Sequence, residues 1–248
     1  MAELSTYAFW VALAQIIGVN IVLSGDNAVV IALAARSLPP AQQKQAVMWG
    51  SGAAVVMRIV LTIVAVELLR ISGLKLIGAA LLLWIAVQLL IPESEEDGHG
   101  KAASNMAAAI RTILLADLAM SLDNVLAVAA VAKGSLTLLI VGLAISIPLV
   151  VFASTFLLKV MDRYPVIVTA GAGLLGYVAG EMAVSDGLVQ PWVDANAHWL
   201  HYAVPAAGIV IVIAVGKALA ARAREEEAVK PLEDIATANG GPNTDRPS

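Results

Sequence analysis

Apolar residues fill the chain in long runs, and the interruptions between them concentrate proline, glycine and charge. Reading runs and interruptions together predicts seven helices at about 8–36, 45–69, 73–91, 108–133, 136–160, 165–184 and 200–222. A helix rising about 1.5 Å per residue needs roughly 20 apolar residues to cross about 30 Å of hydrocarbon. Most of these runs reach that length. The clearest breaks are "SLPPAQQKQ", "PESEEDGHGKAASN" and "AVSDGLVQPWVDANA". The end, "TANGGPNTDRPS", reads as part of a disordered tail over 223–248.

Composition sharpens this into an integral membrane protein. Sixty per cent of the 248 residues (60%) are hydrophobic and only 14% are charged, far from the balance of a soluble domain. Unpaired backbone is too costly in lipid, and the alternation of a membrane barrel is absent, so the expected fold is an all-α polytopic helix bundle. The chain contains no cysteine. Disulfides, thiolate metal sites and sulfur redox chemistry are therefore excluded, and any metal ligand must be oxygen or imidazole. The opening "MAELSTYAFW" lacks the basic region of a signal peptide, so it is expected to belong to the first span. The net charge of −4 carries little weight, because the acidic tracts "PESEEDGHG" and "REEEA" fall in loop and tail.

Seven spans put Arg36, Lys44, Lys101, Arg111, Lys159, Arg163, Lys217, Arg222, Arg224 and Lys230 on one side of the membrane. Only Arg70, Lys75 and Lys133 fall on the other. The positive-inside rule then sets the N-terminus outside and the C-terminus in the cytoplasm. The chain also resembles itself. "LSGDNAVVIALAAR" (23–36) aligns without gaps on "MSLDNVLAVAAVAK" (120–133) at an offset of 97, pairing Ser24 with Ser121, Asp26 with Asp123, Asn27 with Asn124 and Asn20 with Asp117. "GAALLLWIAVQ" (78–88) matches "GAGLLGYVAGE" (171–181) at an offset of 93, pairing Gly78 with Gly171 and Gln88 with Glu181. The expected organisation is a first three-helix repeat over 1–91, an acidic cytoplasmic loop over 92–107, a second repeat over 108–184, and an outer loop with a seventh helix over 185–222. An odd number of spans per unit makes the two repeats inverted. Inverted repeats typify secondary transporters, whose sites lie near the midplane between matching interrupted helices.

An ionisable group inside a span costs about 2.5–3.5 kcal/mol on insertion scales, so it must be paired or used. Asp26, Asp117, Asp123 and Glu181 all fall inside predicted spans. Asn20, Ser24 and Asn27 share one helix face, and Asp117, Ser121 and Asn124 share the matching face of the fourth helix. A local break in each helix, eased by Gly25 in the first, would turn Asp26 and Asp123 into the same cavity and free backbone carbonyls. Carboxylate, amide and hydroxyl oxygens suit Mg²⁺, Ca²⁺ or Mn²⁺. The bland alternative is a set of polar helix contacts that hold the bundle together. Arg58, mid-span, either balances a site carboxylate or bridges to Glu67 or Asp117. Glu181 replaces the neutral Gln88 of the first repeat, which makes it a candidate for proton coupling.

Asp194, His198 and His201 in "DANAHWLHY" have helical spacing on the outer side. An external metal site and an interfacial belt are both open there, and the neighbouring Trp199 and Tyr202 favour the belt. No Walker-type loop, HExxH, GxSxG or basic aromatic stripe is present, so the sequence supports neither an enzyme nor a nucleic-acid partner.

The paired motifs "NIVLSGDNAVVIALAAR" and "LLADLAMSLDNVLAVAAVAKG" resemble the TerC family, and within it the short YjbE-type branch of the LysE transporter superfamily, over about residues 8–222. The resemblance implies seven transmembrane helices in a bacterial inner membrane, a link by name to tellurium resistance, and Mn²⁺ export by some members. It carries over Asp26, Asn27, Asp117, Asp123 and Asn124 as ion-site residues, with Asn20, Ser24 and Ser121 supporting them and Arg58 and Glu181 balancing or coupling charge. The expected function is export of a divalent cation, Mn²⁺ first, as substrate, driven by an ion gradient and without a permanent cofactor. Partners are then the bilayer and the cation, with homo-oligomer formation left open. The competing expectations are a non-transporting scaffold or insertion partner linked to tellurite resistance, and an exporter of a small organic solute.

Overall fold

The computed structural model describes residues 7–22, 25–68, 71–91, 102–132 and 136–239. Among them are nine helices and no strand: α1 (Tyr7–Val22), α2 (Gly25–Ala35), α3 (Pro40–Leu68), α4 (Leu74–Gln88), α5 (Ala102–Ala132), α6 (Leu136–Arg163), α7 (Val166–Val184), α8 (Gln190–Asn196) and α9 (Leu200–Asn239). Each predicted helix has its counterpart. The first predicted run corresponds to two helices, α1 and α2, with residues 23 and 24 between them outside the described set.

Four described helices contain stretches long and apolar enough to cross a membrane, over Pro40–Val64, Ile140–Arg163, Val166–Val184 and Leu200–Glu225. At 11 and 15 residues, α2 and α4 are apolar but short. Large apolar side chains such as Val56, Val60, Ile63, Phe152, Phe156 and Val210 face outward, as hydrocarbon contact requires.

Helix α3 packs on α5, while α6 packs on α1 and α2. Helix α4 lies against α5 and α7, α7 touches α2, and α3 meets α6. The main core includes Val30, Leu33, Leu82, Ile85, Ile113 and Leu175 and joins α2 through α7, while Leu13 and Ile16 of α1 pack in a separate cluster with Leu143 of α6. Helix α9 packs mostly along α7. Small residues allow this: a Cβ on Gly176 would overlap the Gly208 carbonyl, and one on Gly180 would come within 2.6 Å of the Pro205 Cα. Such close backbone approach replaces the hydrophobic drive that lipid cannot supply.

Three expectations change. Helix α5 begins at Ala102, six residues before the predicted start, because "AASNMAAA" is alanine-rich and helix-forming. Helix α9 runs on to Asn239 rather than giving way to a disordered tail at 223, because "ARAREEEAVK" combines strong helix formers with opposite charges at i, i+4. The outer loop contains α8, anchored by the buried Val193 and Ala197.

The loop residue Asp186 is buried and joins the two halves. Its carboxylate accepts N–H bonds from Gly73 at 3.1 Å, Lys75 at 3.1 Å, Leu76 at 3.4 Å and Leu188 at 2.9 Å. The first three donors are orphans at the start of α4, where a negative charge also meets the positive end of the helix dipole. Gly73 adopts φ 87, which glycine reaches without strain. Asp186→Ala is expected to cost at least about 2–3 kcal/mol, because charged hydrogen bonds are lost and buried donors are left bare. Thermal unfolding of the purified protein in detergent measures this, and a melting curve like that of the wild type would refute the clasp.

Candidate functional site

The closest meeting of polar side chains lies where α2, α3, α5 and α6 converge. Asp117 and Ser121 sit one turn apart on α5 and face Arg58 of α3. The Arg58 guanidinium forms an ion pair with Asp117 Oδ1 through Nη2. Its Nε donates to Ser121 Oγ at 3.1 Å, and the Ser121 hydroxyl donates to Asp117 Oδ2 at 3.1 Å. All three residues are buried. A lone buried charge would be prohibitive, and this closed triangle supplies each charge with a partner. The structure pairs Arg58 with Asp117, which the sequence offered both as a site carboxylate and as a bridging partner.

A cavity of about 20 Å³ adjoins the triangle, lined by Asn27, Ser51, Arg58, Asp117 and Ser146 together with apolar side chains such as Ile31, Val55 and Val150. That is room for one water-sized particle. Ser51 Oγ is buried there without a hydrogen-bond partner among the described residues. Ser146 donates to the Leu143 carbonyl at 2.6 Å, just ahead of Pro148, which removes a donor from the α6 ladder. Asp26 lies in the first turn of α2, half-buried, and accepts the Asn27 N–H at 2.8 Å. The charges of Arg58 and Asp117 both act on it.

Of the expected site residues, Asn27, Arg58, Asp117 and Ser121 come together, with Asp26 beside them. Ser24 and the side chains of Asn20, Asp123, Asn124 and Glu67 lie outside the described residues, so the approach of Asp123 to Asp26 falls outside them too. One expectation fails. The break expected at the second motif does not occur, since α5 is continuous from Ala102 to Ala132 and has no glycine to ease an interruption. Glu181 is exposed near the end of α7 and does not line the cavity, because the face of α7 that packs inward carries Gly171, Leu175 and Ala179 instead. Ser51 and Ser146 were missed. Ser51 carries a signal, since it precedes Arg58 by seven residues and so shares its helix face.

A larger vestibule of about 640 Å³ opens where α2 and α4 end and α7 begins, with Arg36, Thr112, Gln88 and Asp162 on its walls. Arg36 Nη2 donates to the Leu89 carbonyl at 3.0 Å. Along α2 the vestibule is lined by Leu33 and Ala34 and the small cavity by Asn27 and Ile31; along α5 the buried Ile113 and Ala116 fall between Thr112 of the vestibule and Asp117 of the small cavity. Thr112 and Asp117 are separated by an axial rise of about 7.5 Å on α5.

The family model described as integral membrane protein TerC family matches residues 5–225. The chain is 45% identical over 178 residues to the uncharacterized membrane protein YjbE of Bacillus subtilis, covering 72% of this chain and 81% of that one. It is 29% identical over 185 residues to YceF of the same organism, covering 71% and 72%. Similarity to the inner membrane protein YgdQ of Escherichia coli is 28% over 173 residues, covering 63% and 73%. No solved structure matches. A match across the bundle and both DN motifs, together with this relative, makes the chain a multi-pass integral membrane protein that belongs to the TerC family.

Proposed function

We propose that the protein is a secondary transporter that exports a divalent cation, Mn²⁺ first among the candidates, by alternating access around the polar cluster of α2, α3, α5 and α6. The observation that carries this is the buried Arg58, Asp117 and Ser121 triangle beside a small cavity that Asn27, Ser51 and Ser146 also line. Arg58 is a built-in counter-cation. It neutralises Asp117 when no ion is bound, and an arriving dication competes with it for the carboxylate. Asp26, Asn27, Ser51 and Asp117 offer oxygen donors, the second motif carries Asp123 and Asn124 as the sequence counterparts of Asp26 and Asn27, and hard oxygen sets suit Mn²⁺, Mg²⁺ and Ca²⁺.

The packing scheme supports seven spans in two inverted repeats. Exchanging α1 and α2 with α5, α3 with α6, and α4 with α7 returns the same neighbours: α3 on α5 becomes α6 on α1 and α2, and α4 on α5 becomes α7 on α2. The matched Gly78 and Gly171 follow it, since a Cβ on Gly78 would meet Ala119 of α5 and one on Gly171 would meet Val29 of α2. The vestibule lies at the Arg36 end, which the positive-inside rule assigns to the cytoplasm. Its apolar floor acts as the inner gate. Without an ATP-binding loop, the driving force is an ion gradient, with protons the first choice.

In liposomes loaded with Mn²⁺, Asp26→Ala and Asp123→Ala are expected to abolish flux while leaving the protein inserted and helical. Flux unchanged from wild type would sink the proposal. A closed ion pair is also what a purely structural polar contact would show, which keeps the scaffold alternative in play. Thermal stabilisation by Mn²⁺ separates the two, because a ligand that binds only the folded state raises apparent stability.

A further inference from the structure

We infer that Asp194, His198 and His201 form a second, peripheral binding site for a d-block dication such as Zn²⁺ or Co²⁺, at the face where α7 ends and α9 begins. The three residues come from different pieces of backbone: Asp194 from α8, His198 from the turn, and His201 from the first turn of α9. One ligand atom from each lies within 4.8 Å of the others. His201 Nε2 already stands 2.7 Å from Asp194 Oδ1, and the two imidazole rings are 5.1 Å apart and tilted by 60°, so both can turn to a shared point. A tetrahedral ion with ligands at about 2.0–2.2 Å holds donor atoms roughly 3.3 Å apart, a distance that side-chain rotation can reach here.

The base is rigid. Val193 and Ala197 are buried beneath the cluster, and the turn is closed by Leu200 N to Ala197 O at 2.8 Å and His201 N to His198 O at 3.2 Å. Two imidazoles and one carboxylate with solvent-facing room suit borderline dications and leave positions open for water. Two of the three histidines of the whole chain meet at this point. The site is separate from the polar cluster around Asp117, and its occupancy does not depend on transport.

Full-length protein purified in detergent without a histidine tag, titrated with Co²⁺ alone, tests this. Wild type is expected to develop the visible d–d bands of imidazole-bound Co²⁺. Zn²⁺ should abolish the bands and excess Ca²⁺ should leave them. His201→Ala and His198→Ala are expected to weaken binding at least about 10–100-fold, a loss comparable to removing even an outer support of a metal site. His99→Ala should leave it unchanged. Absent bands in wild type, bands that survive His201→Ala, or bands lost in His99→Ala would each overturn the assignment. Independent of any variant, Zn²⁺ should shift two of the three histidine ring resonances of the wild-type protein, and a shift of none would also overturn it.

Discussion

Arg58→Met is expected to destabilise the protein by about 3–5 kcal/mol, and Asp117→Leu by a similar amount, while the double variant recovers most of the loss. The asymmetry follows from where the groups sit. Both are buried, so removing either partner strands the other charge in a low-dielectric interior. Removing both leaves apolar side chains of comparable volume, and Ser121 can then turn its hydroxyl back to its own helix carbonyls. Thermal or SDS unfolding of the four proteins gives the coupling energy as a double-mutant cycle. Additive losses would mean that the pair does not exist in the folded protein. The double variant also separates stability from transport: it should fold well and move no Mn²⁺, because the carboxylate for which Arg58 and the ion compete is gone.

That pair was legible in the sequence for the same reason. Arg58 and Asp117 interrupt apolar runs, and an intramembrane charge demands an explanation that an alanine or leucine does not. The serines of the same cavity were harder to see. A serine in a membrane helix usually bonds to its own backbone, as Ser154 does to the Val150 carbonyl at 2.8 Å, so Ser51 announces nothing without its neighbours. Asp186 was read as an ordinary loop residue because three of its four backbone N–H partners are more than a hundred residues away, and no local pattern encodes them. Glu181, singled out by its place in an apolar run, is exposed, because one position on a helix near its end is free to point outward. The order and approximate positions of the helices were legible from hydropathy, whereas the start of α5, the end of α9 and the small-residue contacts that set how closely α7 and α9 approach became visible only in three dimensions.

Gly208→Ala is expected to be the most damaging single-methyl change outside the polar cluster. A Cβ there would overlap the carbonyl oxygen of Gly176, and a Cβ on Gly176 would overlap that of Gly208. Overpacking a side chain costs about 1–3 kcal/mol because neighbours can rotate away, but a backbone carbonyl inside a helix ladder cannot. The two helices must therefore separate, losing the contacts of Val212, Pro205 and Gly180 along the same seam. Two comparisons fix the scale. Gly173→Ala, on the same helix as Gly176, would place its Cβ 3.3 Å from the tips of Ile209 and Ile213, which can give way, so a small loss is expected. Gly52→Ala meets nothing within 4 Å and should be neutral or slightly stabilising through helix propensity. Thermal unfolding should rank Gly208→Ala well below Gly173→Ala, with Gly52→Ala near wild type. If Gly208→Ala melts with Gly52→Ala, the backbones of α7 and α9 are not in contact. If the order holds, the seam that seats α9 on α7 also fixes His201, two turns before Gly208, against α8.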